Sequence, residues 1–150
     1  MSNYRSHTLF NLFFLLPLST LSVFYFFVPS RFNLLLYIGT FTYATCFMTP
    51  DADIANKIKL LSLRGVMTLP FRPYSMLFSH RGISHIPIIG TLTRIGWICG
   101  CFFLIYTFIY NHTFSFHPII EFYHTHTLSI HYTLSALFVS DIGHLILDKK

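Results

Sequence analysis

The sequence predicts an all-α integral membrane protein of about four transmembrane helices, with an amphipathic cytoplasmic segment between the second and third, built as one domain over residues 1–150. Three observations predict it. Charged residues are 10% of the chain, hydrophobic residues 53%, and the mean hydropathy is +0.59; soluble domains carry roughly a quarter charged residues. Four apolar runs, 9–28, 32–48, 88–110 and 127–147, match or approach the ~20 residues that a bilayer's hydrocarbon core requires. Lys and Arg also segregate by side. Arg5, Arg31, the set Lys57, Lys59, Arg64, Arg72 and Arg81, and finally Lys149 and Lys150 flank the runs, whereas none lies between the third and fourth. With the 50–87 loop and both termini in the cytoplasm, this distribution obeys the positive-inside rule.

The first run follows Arg5 and resembles a signal peptide. Its length and the lack of an Ala-x-Ala-like cleavage site predict instead an uncleaved transmembrane helix. Pro17 is expected to kink it. Only Val28-Pro29-Ser30-Arg31 separates it from the second run, so the two should form an antiparallel hairpin. Gly39 would let the second helix approach a neighbour closely.

In the 50–87 loop, Ile54, Ile58, Leu61 and Met67 interleave with Lys57, Lys59 and Arg64. That pattern fits a short amphipathic helix lying among lipid headgroups, ended by Phe71-Arg72-Pro73-Tyr74. The net charge of +5 does not indicate nucleic acid, because the basic residues sit in one loop and at the ends rather than in a stripe. They read as orientation signals and contacts to membrane lipids. Cys46, Cys99 and Cys101 lie within apolar runs at no metal-ligand or redox spacing and are expected to be buried thiols.

Five acidic residues exist, so each can be placed. Asp51 and Asp53 follow the second run; Asp141 and Asp148 lie near the end of the fourth, with His144 between them. On a helix Asp148 stands about 40° from His144, and Asp141 lies three residues back on much the same face. His7 precedes the first run. Before the third run comes Ser79-His80-Arg81-Gly82-Ile83-Ser84-His85. Five residues of straight helix turn about 140°, so His80 and His85 converge only if the chain bends, as Gly82 permits. The topology thus gathers His7, Asp51, Asp53, His80, His85, His144 and Asp148 at one membrane level.

Ionisable groups at apolar helix ends are costly and functional by default. Imidazole and carboxylate without thiolate point to a divalent metal, zinc first, with manganese or iron as alternatives. Seven candidates exceed what one closed zinc site needs, which favours two bridged ions in a water-activating arrangement, or some of the seven as orienting groups. Arg94, two turns into the third run, is read first as snorkelling to the interface and second, with Arg81, as a clamp for an anionic phosphate. His112, His117, His124, His126, His131 and Glu121 form an outer group spread along a loop, where solvated or interfacial histidines are the expectation.

Some of these stretches resemble a known family. Tyr4-Arg5-Ser6-His7, Phe47-Met48-Thr49-Pro50-Asp51-Ala52-Asp53, Arg72-Pro73-Tyr74 through His85, the continuation Pro87 to Arg94, and finally His144 and Asp148 are similar to bacterial predicted membrane metal-binding proteins. That family looks related in turn to inner-membrane metal-dependent hydrolases regulated with the DNA-damage response. The resemblance implies metal binding in a bacterial inner membrane and, beyond that, hydrolysis. Joined to the residues, it leads to an expected hydrolase of phosphoester or phospholipid type, with Asp53 and Arg81 as catalytic residues. The alternative is a non-catalytic metal-binding membrane protein, either a transport component or an anchor. Transport calls for ionisable groups at mid-membrane depth, and only Arg94, His131 and Asp141 approach it.

Overall fold

The computed structural model describes residues 4–48, 58–77, 86, 88–110 and 115–148. Every regular element among them is helical. The order is α1 (Tyr4–Phe10), a π-helical turn (Asn11–Leu15), α2 (Leu16–Phe27), α3 (Arg31–Phe47), α4 (Leu63–Met67), α5 (Phe71–Leu77), α6 (Ile89–Tyr110) and α7 (His117–Asp148). Among the described residues three helices are long and apolar enough to cross a membrane: Arg5–Phe27, Ile89–Ile109 and His117–Leu147. The second expected span, 32–48, is the 17-residue helix α3, which is not among these three.

The first span shows how Pro17 acts. Proline has no N–H and its ring collides with the carbonyl four residues back, so the helix must open on its N-terminal side. The opening takes the form of the π turn, in which the Leu16 amide bonds Asn11 O. The expected disturbance is therefore present, displaced one turn from Pro17 itself. α2 ends with Val28 in the left-handed region (φ 42°, ψ 57°), its N–H bonded to Phe24 O. Ser30 then caps α3, its Oγ accepting the Asn33 amide at 3.2 Å. α2 and α3 pack side by side as the predicted hairpin.

α3 packs most extensively on α7, and two apolar clusters lie along that seam. Tyr37, Phe41 and Ala136 fill one, with Leu15, Leu16 and Val23 against it. Ala44, Met48, Phe71, Tyr74 and Leu137 fill the other, with Ile95, Trp97 and Ile98 beside them.

Four expectations are corrected here. Gly39 faces open space, and the close approach is at Gly143, where a Cβ would run into the Asn11 and Leu15 side chains. Over 58–62 the chain is bent and turned, and only Leu63–Met67 is helical, so the interface segment is not one amphipathic helix in its described part; residues 54–57 lie outside the described residues. Phe71-Arg72-Pro73-Tyr74 starts a helix instead of ending one, because a proline in the first turn sacrifices no helical hydrogen bond. Phe71 and Tyr74 are fully buried, the Tyr74 hydroxyl is 3.0 Å from Thr93 Oγ1, and Trp97 Nε1 donates to Pro70 O at 2.8 Å. The cysteines are not a buried set: Cys99 is exposed, and Cys46 and Cys101 are half-buried.

The fourth apolar run was expected to open at residue 127. α7 begins ten residues earlier, at His117, and the two parts meet at a break at His126 (φ −116°, ψ 22°). The sequence boundary marks the break. His117, His124, His126 and His131 accordingly lie on a helix and not in a loop, all exposed.

Candidate functional site

The polar residues of the core gather at one end of the bundle. α1 contributes His7, the π turn Asn11, α3 Thr45, α6 Thr91 and Arg94, and α7 Ser140, Asp141 and His144, each at most 5% exposed. Their elements explain their position. The π turn sets Asn11 against Gly143 of α7, where a Cβ would force the Asn11 and Leu15 side chains to shift. Asn11 Nδ2 donates to Ser140 O at 2.9 Å, and Thr45 Oγ1 lies 2.8 Å from Ser140 Oγ. These bonds lock the π turn, α3 and α7 together one turn from the histidines.

His7 and His144 then meet. Their rings stack with centroids 4.1 Å apart and planes 19° from parallel. They are 3% and 2% exposed. One comes from the first helix and the other from the last.

Asp141, one turn before His144 on α7, meets Arg94. The guanidinium Nη2 lies 2.5 Å from Asp141 Oδ2, and the Thr91 hydroxyl donates to the same oxygen. Nη1 donates to Met48 O at 2.6 Å and Nε to Gly90 O at 3.0 Å. Arg94 is 1% exposed, so the expected snorkelling is overturned. A charged group inside an apolar bundle is tolerated when a counter-charge and acceptors satisfy it, and here Asp141 supplies that charge. Arg94 is the only Lys or Arg in α6, and Asp141 the only Asp or Glu of α7 between Glu121 and its last residue. That scarcity was the signal by which the pair could have been matched from sequence.

Of the expected site residues, the structure brings His7 and His144 together and places Asp148 as the last residue of α7, one turn beyond His144. Asp51, Asp53, His80, Arg81 and His85 lie outside the described residues, as does His112 of the outer group. His117 Nδ1 is 4.0 Å from Glu121 Oε2 with both side chains exposed, and the His126 ring lies tilted against Phe122, centroids 4.6 Å apart. Among the described residues no group of three or more His, Cys, Asp or Glu side chains is arranged to hold a metal ion. Zinc takes four protein ligands in structural sites and three in catalytic ones. Two buried imidazoles are the right donor chemistry and supply part of such a set.

Among the described residues, membrane-length apolar helices, a buried histidine pair and a buried ion pair define a class of helical bundle that holds ionisable groups in its apolar interior, where each is costly to bury. The chain belongs to the family described as "Uncharacterized metal-binding protein (DUF2227)", whose model matches residues 3–150. That description names metal binding and no reaction. Neither the curated proteins nor the solved structures contain a match.

Proposed function

We propose that this chain is a membrane-bound metal-binding protein whose divalent ion is held where His7 and His144 meet. The observation that carries this reading is the burial of two imidazoles, face to face, inside a helix bundle whose family is a metal-binding one. Neutral imidazole is the commonest metal ligand among side chains, and a buried pair drawn from remote parts of a chain needs a reason to be polar. Asp51, Asp53, His80, His85 and Asp148 would complete the ligand set. Two described anchors support that extension. Met48, whose carbonyl Arg94 holds, precedes Asp51 by three residues, and Ile86, whose carbonyl accepts the Gly90 amide at 2.8 Å, directly follows His85. The donor types favour zinc, with manganese or iron as alternatives, and their number allows one ion or two.

The membrane would be the bacterial inner membrane, crossed four times with both termini cytoplasmic, since Lys and Arg cluster on one side of such an arrangement. Beyond metal binding, the proposed activity is hydrolysis of an ester of phosphoester or phospholipid type, with Asp53 and Arg81 at the reacting centre. The non-catalytic reading, a transport component or an anchor, is favoured by one observation. Arg94 has its three nitrogens committed to protein acceptors, so it is not a phosphate clamp.

Metal analysis of the detergent-purified chain tests the site. Wild type should carry a divalent ion, and His7→Ala, His80→Ala, His144→Ala and Asp51→Ala should each lower its content. Unchanged content across all four sinks the proposal. If metal binds and a broad phosphoester panel is left uncleaved, the non-catalytic reading stands in place of the hydrolase.

A further inference from the structure

We propose that Arg94 and Asp141 are a positioning pair for the metal centre, an inference that rests on the site reading above. Three elements meet at this one guanidinium: its own helix α6 through Gly90 O, the end of α3 through Met48 O, and α7 through Asp141. Thr91 of α6 adds a second bond to the same Asp141 oxygen. The depth and rotation of α7 are therefore set one turn from His144, the residue that stacks on His7.

Stability alone does not account for the pair. Replacing a buried ion pair with apolar residues of similar volume is often neutral or stabilising, and α6 carries no other charged residue. A guanidinium has no lone pair to offer a metal, and Asp141 Oδ2 already accepts two hydrogen bonds. What the pair does is orient. Groups that hold ligands in place typically change metal affinity about 10–100-fold when altered. The planar fork matters as well as the charge, since a lysine ammonium cannot span the same acceptors in three directions.

The experiment uses the full chain in detergent with cobalt(II) as the probe, reading both its dissociation constant and its visible absorption bands. Arg94→Ala strands a buried carboxylate, so the informative variants are Arg94→Lys and Asp141→Asn, checked for wild-type helicity and elution. The expected result is cobalt binding about 10–100-fold weaker with displaced bands in Asp141→Asn, and a smaller loss in Arg94→Lys, which keeps the charge and loses the planar fork. Wild-type affinity and wild-type bands in both folded variants overturn the positioning role. If wild type itself takes up no cobalt, the metal-centre reading fails first, and that outcome is read without any variant.

Discussion

The imidazole of His7 lies against that of His144, centroids 4.1 Å apart, so the two ends of the chain close on each other inside the bundle. α3 and α7 form the frame of that closure, and the π turn before Pro17 brings α1 onto it.

If both rings serve one ion, their removal should not add. His7→Ala and His144→Ala are each expected to weaken zinc binding by at least tenfold, and the double variant little more than the weaker single. Competition with a chromophoric chelator measures this; additive losses would place the two rings on separate ions.

Arg94→Ala leaves Asp141 buried without its counter-charge and is expected to cost about 3–5 kcal/mol of stability. The double change Arg94→Met with Asp141→Leu removes both charges and should recover most of that loss. Thermal unfolding in one detergent compares the pair of variants. A double variant as unstable as Arg94→Ala contradicts the assignment of the cost to an unpaired charge.

Gly143→Ala puts a methyl group into the Asn11 and Leu15 side chains and should destabilise by about 1–3 kcal/mol, the cost of overpacking. Gly39→Ala meets nothing within 4 Å and should be neutral or slightly stabilising, by up to about 1 kcal/mol. Equal effects at the two glycines would show that the α1–α7 contact is not as close as described.

Phe71 is fully buried against α3 and α7, although it belongs to a seven-residue helix in the loop between the second and third apolar runs. Phe71→Ala should cost about 3–5 kcal/mol. Limited proteolysis should then cleave the 58–77 segment faster than in wild type. Unaltered cleavage would mean that α5 does not depend on this anchor.

Several features were legible in the residues because their signals are local. Apolar length marked the helices, Pro17 disturbed its own helix, and the start of the fourth apolar run at residue 127 fell beside the break at His126. His7 and His144 were recognisable as ligand types, and the structure brings them together. Arg94 was misread because snorkelling was judged from its position in one helix, whereas its partner lies on another. Gly39 was misread for the same reason: a small residue permits a close approach without saying which neighbour makes it.

The amino-acid order by itself determined an apolar, helical chain with its few ionisable groups at helix ends, since hydrophobic length, proline and capping act within a turn or two. Only the tertiary structure decided that Arg94 faces Asp141 and that His7 faces His144. α6 is apolar on nearly every side and α7 scatters its polar residues around its circumference, so periodicity does not mark an inward face. Which side turns inward follows from the rotation and depth of each helix, and those are set by contacts such as Asn11 on Gly143, made between residues far apart in the chain.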